Sequence, residues 1–242
     1  MTHTPEDKAT GEPLEFFSLG RRIRQGLAAC ARAGAARSEG DIFYLWLQMG
    51  AGTESEALGD DEWLNIIDEA ASLGVNWLVV TLGPPASRAA VPAICRWARN
   101  THDMTVCVHA AEGELRPEER EMLLELRGEA CILLVEPEAA GEYADLEARG
   151  VSVAKSAPPI PEEGAACDFP ARMVYVDPSG RLYTCGLVAG EEEFYLGSVM
   201  DGSLDAIMHN PRLPHCVTPS EPVPGRNCSG CPPLVARHLC QK

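Results

Sequence analysis

The chain has 242 residues and a mass of 26.0 kDa, with 45% hydrophobic and 23% charged residues, the balance of a soluble globular protein of one large domain or one medium and one small domain. A formal net charge of −16 disfavours nucleic acid and anionic lipid as partners, and no apolar run approaches the roughly 20 residues needed to cross a bilayer. The acidity serves solubility or, on a sharper reading, a basic peptide or protein partner.

The opening residues, MTHTPEDKATGEP, lack the basic and apolar regions of a signal peptide, so a cytoplasmic protein is expected. Residues 1–40 read as an N-terminal extension. Its helix, within 14–36, has a basic face from Arg21, Arg22, Arg24 and Arg32, read as a solvated surface. IFYLWLQ (42–48) is an aromatic and apolar run, hence a buried strand. GDDEWLNIIDEAASLG (59–74) puts Trp63, Ile66, Ile67, Ala70 and Leu73 on one helical face, with Asp60 as the expected cap and Gly74 as the stop.

VNWLVVTLG (75–83) is a strand, and 86–100 a helix in which Pro92 must sit in the first turn or kink it. MTVCVHA (104–110) is a strand, and 116–128 a helix with Pro117 at its start and Gly128 after its end. ACILLVE (130–136) is a strand, 137–150 a helix, and VSVA (151–154) a last short strand. Strands alternating with helices over 41–155 imply an α/β fold with a parallel sheet and right-handed crossovers. Five strands are too few for a closed eight-stranded barrel. An open, partial (β/α) barrel is therefore expected, with a doubly wound sheet as the alternative.

SAPPIPEEGAA (156–166) reads as a linker. In RMVYVDPSGRLYTC (172–185), Asp177-Pro178-Ser179-Gly180 suits the tight turn of a hairpin. The chain holds ten cysteines, many for a reducing compartment, where clustered thiols point to metal or redox chemistry more than to disulfides. Cys30, Cys95, Cys107 and Cys131 lie singly, whereas Cys167, Cys185, Cys216, Cys228, Cys231 and Cys240 crowd residues 167–242. The hairpin brings Cys167 and Cys185 together at its base, and the C-x2-C of Cys228 and Cys231 supplies two more thiolates. Four soft ligands suit a [4Fe–4S] cluster or a tetrahedral zinc, and spacing alone leaves both open. Cys216 and Cys240 are possible additional ligands. His215 and His238 read as solvent-facing.

The pattern C-x12-G-x4-C with a later C-x2-C resembles the SPASM/twitch domain that follows the catalytic core of many radical SAM enzymes. FYLGSVMDGSLDAI (194–207) is similar to that domain's segment between its two cysteine pairs. The resemblance implies a small cysteine-rich domain over 167–242, with one auxiliary [4Fe–4S] cluster on Cys167, Cys185, Cys228 and Cys231. The full form continues C-x2-C-x5-C-x3-C. This chain has Arg237 at the third cysteine, so the one-cluster twitch form fits better.

The order of parts over 41–155 resembles the radical SAM partial barrel, without its chemistry. The family's C-x3-C-x2-C after the first strand is absent: that loop reads MGAGTESEALG (49–59). Glu54 and Glu56 there are read as solvated carboxylates and Gly50-Ala51-Gly52 as a turn. The family's Gly-Gly-Glu-Pro turn reads Leu82-Gly83-Pro84-Pro85, with Pro84 in place of the glutamate that would contact the methionine amine. S-adenosylmethionine is accordingly not expected as a cofactor, nor independent cleavage of it as an activity. No P-loop, G-x-S-x-G, H-E-x-x-H or Rossmann fingerprint occurs. The resemblance implies a non-catalytic accessory to a radical SAM enzyme or its peptide substrate, as in GeoRSP-type peptide maturation. The alternatives are an enzyme using its auxiliary cluster and a zinc-stabilised binding module.

Overall fold

Apolar and β-branched runs with no room for a polar face form strands that are buried on both sides. A computed structural model of the chain describes residues 44–50, 58–111, 114–156, 173–208, 230–233 and 235. The expected N-terminal helix, residues 157–166 of the expected linker, Glu54, Glu56, His215 and His238 lie outside them. The five expected strands are β1 (Tyr44–Gln48), β2 (Trp77–Thr81), β3 (Thr105–Ala110), β4 (Cys131–Val135) and β5 (Ser152–Lys155). They are joined by parallel ladders in the order β5-β4-β3-β2-β1. That order never reverses, so the five strands are singly wound, and the doubly wound alternative does not apply.

The helices are α1 (Asp60–Ser72), α2 (Val91–His102), α3 (Pro117–Glu125) and the short α4 (Ala144–Ala148). Two local expectations are corrected. Asp60 does not cap α1: Gly59 holds the N-cap position and donates its N–H to Glu62 at 2.5 Å, while Asp60 is the first helical residue. The expected helix over 137–150 is instead a 3-10 turn at Pro137–Tyr143 followed by α4, since Gly141 interrupts it with a residue that costs about 1 kcal/mol in a helix. Pro92 sits in the first turn of α2, where its missing N–H costs nothing.

The hairpin forms where expected, as β6 (Met173–Val176) and β7 (Arg181–Tyr183). The Asp177 carboxylate accepts from the backbone N–H of Ser179 and Arg181 at 2.9 and 3.0 Å, and Gly180 takes φ +79°. β6 pairs in parallel with β1, Tyr44 opposite Met173, on the edge of β1 away from β2. β7 and β8 (Tyr195–Ser198) add antiparallel strands, giving one sheet of eight strands in the order β5-β4-β3-β2-β1-β6-β7-β8. A short helix, α5 (Leu204–Met208), follows and docks on α1, where the Leu204 N–H donates to Glu69 at 2.5 Å.

Alternation of side chains along the strands splits the core into two layers. Leu45, Leu47, Leu78, Val80, Val106, Val108 and Leu133 face the helices and pack on Trp63, Ile67, Ile94 and Met122. Tyr44, Trp46, Trp77, Val79, Cys107, Ile132, Leu134 and Tyr175 face the other way and are covered by Cys185, Val188, Phe194, Cys231 and Val235. The helices, α5 included, thus lie on one face, and the described residues Cys185, Val188, Phe194, Cys231 and Val235 cover the opposite one.

A buried ion network braces the loops beyond β2 and β3. Arg88 and Glu119 are both fully buried, with Arg88 Nε 3.5 Å from Glu119 Oε1. Arg116 Nε donates to the same oxygen at 3.0 Å. Arg88 Nη2 donates to the Glu114 carbonyl at 2.9 Å, and Arg116 Nη2 to the Arg88 carbonyl at 2.7 Å. Each loop thereby holds the backbone of the other.

Candidate functional site

The parallel strands end on a cavity of about 480 Å³. Trp46, Gln48 and Gly50 come from β1 and the turn after it. Thr81, Leu82, Gly83 and Pro84 come from the end of β2, and His109 and Ala111 from the end of β3. Glu136 follows β4. Tyr175 from β6, with Gly186 and Ala189 beyond β7, closes the far side. Outside the C-terminal ends of parallel strands, backbone loops diverge and leave such a crevice, which is why ligands collect there.

Polar groups in the lining form one chain. Trp46 Nε1 donates to Thr81 Oγ1 at 2.8 Å. Thr81 Oγ1 lies 3.3 Å from His109 Nδ1, and His109 Nε2 lies 3.2 Å from Glu136 Oε1. Ser156 Oγ donates to Glu136 Oε2 at 2.9 Å. The Glu136 carboxylate accepts, which makes Nε2 the donor and lets Nδ1 of a neutral ring accept from the Thr81 hydroxyl. His109 is 2% exposed, and Glu136 keeps about a third of its side chain open (34%).

Two glycines set close approaches. A Cβ on Gly83 would lie 1.9 Å from the Met49 carbonyl oxygen and 2.6 Å from Gly50 Cα, so only glycine lets the β2 turn pass under the end of β1. A Cβ on Gly230 would lie 2.6 Å from His109 Nδ1 and 2.8 Å from Thr81 Oγ1. Gly230, next to Cys231, thus packs directly on the polar chain. Beside Cys185, a Cβ on Gly186 would meet the rings of Trp46 and Tyr175 at 2.9 and 3.0 Å.

Of the expected ligands, Cys185 and Cys231 are described. They are 7% and 5% exposed and belong to the same apolar layer over the sheet. Cys167, Cys228, Cys216 and Cys240 lie outside the described residues. Among the described residues no group of three or more His, Cys, Asp or Glu is gathered around a common point. The donor chemistry of the two expected ligands in view would suit a soft metal centre: both are thiols, both are buried, and they arrive from separate segments.

Cys95, Cys107 and Cys131, single in the sequence, form no disulfide and are fully buried. Burial pushes all three thiols up, Cys131 to about 12, so none is a ready thiolate. An alkylating reagent applied to the folded protein at pH 8 leaves these three unmodified, and unfolding exposes them. Peptide mass spectrometry reads the outcome, and labelling of Cys107 in the native state would show that the aromatic face of the sheet is open.

The loop where the radical SAM family carries its cluster cysteines falls mostly in residues 51–57, outside the described residues. Pro84 is in the cavity lining and brings no carboxylate there. Sequence reading missed the Thr81–His109–Glu136 chain. Its one signal was position: each residue closes or follows a predicted parallel strand. No described helix is long and apolar enough to cross a membrane.

No family model and no curated relative matches the chain. Among solved structures it is similar to Streptococcus suis SuiB bound to S-adenosylmethionine, with a TM-score of 0.54 and 7% identity over 88% of this chain and 72% of that one. Streptococcus suis SuiB alone gives 0.49 at 9% identity over 80% and 71%, and SuiB bound to precursor peptide SuiA gives 0.47 at 9% over 87% and 73%. At such identities the likeness is one of fold, and the mixed α/β sheet with mostly parallel strands resembles the radical SAM-type arrangement that the order of parts in the sequence implied.

Proposed function

We propose that the chain is an iron–sulfur protein of the SPASM/twitch kind, in which residues 167–242 hold one [4Fe–4S] cluster through Cys167, Cys185, Cys228 and Cys231. It acts as a non-catalytic accessory to a radical SAM enzyme in peptide modification. The observation that carries this reading is the convergence of Cys185 and Cys231 in one buried layer on the aromatic face of the sheet. Gly230, whose missing side chain lets the backbone beside Cys231 approach His109, supports the reading. When bound, the cluster supplies one-electron transfer. The chain's own residues bury it, exclude water with Val188, Phe194 and Val235, and set it beside the cavity where a partner's substrate is presented.

Cleavage of S-adenosylmethionine is not part of this reading. It requires an iron held by three protein thiolates with a site left open, and residues 49–59 contain no cysteine. The methionine end of that molecule carries a carboxylate and an amine. Pro84 stands where the family's glutamate would take the amine.

With a strong reductant and S-adenosylmethionine, the protein alone yields no 5′-deoxyadenosine above background. Catalytic product that vanishes on Cys185→Ala would replace the accessory role with an enzyme working through its auxiliary cluster. The cavity beside Gly230 is the observation favouring that second reading. Stoichiometric zinc without iron after anaerobic expression would replace both with a zinc-stapled binding module.

A further inference from the structure

We propose that Trp46, Tyr175, Tyr183 and Tyr195 form an electron relay, which carries an oxidising equivalent from the cavity at the mouth of the sheet to the strand β8. The inference goes beyond the accessory role and depends on no metal.

Strand register builds the relay. Trp46 of β1 stands opposite Tyr175 of β6, Tyr175 opposite Tyr183 of β7, and Tyr183 opposite Tyr195 of β8. Directly paired residues share one face of a sheet, so four neighbouring strands set four rings side by side. Their centroids are 5.3, 6.5 and 5.8 Å apart in that order, with planes at 89°, 58° and 57°. All three spacings are those of rings in contact. Electron exchange between π systems falls steeply with the gap between them, so touching rings pass an electron in short steps.

The two ends differ. Trp46 lines the cavity and is pinned there by its hydrogen bond to Thr81. Tyr175 and Tyr183 are buried, at 6% and 1% exposure, whereas Tyr195 is part-exposed. The Arg181 guanidinium carbon lies 4.8 Å from the Tyr195 centroid. A cation so close disfavours a positively charged ring. Oxidised Tyr195 therefore settles as a neutral radical, once its phenolic proton has gone to water, and that proton loss traps the hole at the outer end.

The relay protects its own surroundings. Cys107, Cys185 and Cys231 lie in the same buried layer as the rings, and sulfur oxidation past the sulfenic stage is not undone by ordinary thiols. An oxygen-centred radical RO• in the cavity takes one electron from Trp46 and a proton from water, and becomes ROH. Tyr175, Tyr183 and Tyr195 then each pass an electron inward, and the inner rings return to their starting state. The sum is RO• + Tyr195–OH → ROH + Tyr195–O•. A soluble thiol restores the phenol by hydrogen transfer and leaves as its thiyl radical.

The test is pulse radiolysis of the full chain with azide radical, which oxidises tryptophan, followed by absorbance of the tryptophanyl and tyrosyl radicals. Tyrosyl radical grows as tryptophanyl decays, at a rate independent of protein concentration. Tyr183→Phe, which keeps the ring and removes the oxidisable phenol, slows that growth at least tenfold, and Trp46→Phe removes it. Tyr44→Phe, in the separate Tyr44–Trp77 pair, and Trp97→Phe, on the helix face, leave it unchanged. Tyr195→Phe alters only a part-exposed ring and serves should the Tyr183 variant fold poorly: its tyrosyl radical is reduced by added thiol at least tenfold more slowly. Growth that scales with protein concentration, a rate unchanged by Tyr183→Phe, or thiol reduction unchanged by Tyr195→Phe overturns the proposal.

Discussion

Cys231→Ala, purified anaerobically, retains little iron, whereas the unaltered protein is brown and holds about four irons per chain, the content of one [4Fe–4S] centre. Cys185→Ala behaves in the same way. The control is Cys107→Ala, which removes a fully buried thiol from the same apolar layer without touching the proposed ligand set. Its packing loss is comparable to that of the two ligand variants, on the order of 1 kcal/mol for so small a truncation. If iron survives in Cys107→Ala and disappears in the other two, ligation and not folding accounts for the loss. Full iron retention in Cys231→Ala would remove that residue from the centre.

Glu119→Ala lowers the melting temperature by on the order of 10 °C. Removing one partner of a buried pair costs about 3–5 kcal/mol, because the remaining charge stays buried without compensation. For a chain of this size each kcal/mol moves the midpoint by roughly 2–4 °C. Glu119 serves two guanidinium groups and also accepts the Arg116 backbone N–H at 2.8 Å, so its loss strands several donors at once. The comparison is Arg96→Ala, which breaks an exposed pair with Glu125 of 2.7 Å. Exposed pairs are worth about 0–1 kcal/mol, and that variant melts within about 2 °C of the parent. Equal effects of the two substitutions would mean that the Arg88–Glu119 pair is open to water.

What the sequence disclosed follows from which forces act locally. The strands β1 to β5 and the helix α1 were legible because continuous apolar runs and a 3.6-residue period are properties of a short window. The Asp177–Gly180 turn was legible because its chemistry lies within four residues. The segment 137–150 was misread because its helical period outweighed a single Gly141, whereas the backbone follows the glycine. The partnership of β6 with β1 was hidden. Nothing in MVYV names its neighbour, and the hairpin reading drew attention to β7 alone. The cavity's polar chain was hidden for the same reason, since Thr81, His109 and Glu136 become neighbours only through strand order. Of the cysteine set, spacing identified four thiols, and the structure describes two of them, in one layer.

The pairing of β1 with β6 has a consequence for how the chain is born. Synthesis proceeds from the N-terminus at about 5–20 residues per second, so β1 leaves the ribosome roughly ten seconds or so before the strand that completes it. In that interval β2 satisfies one side of Tyr44–Gln48, while the other side presents open N–H and C=O groups on the most aromatic strand of the sheet. An open, apolar edge of this kind recruits other strands. A nascent chain halted before Met173 is therefore a sticky species, and it stays so until the hairpin has emerged and closed the seam.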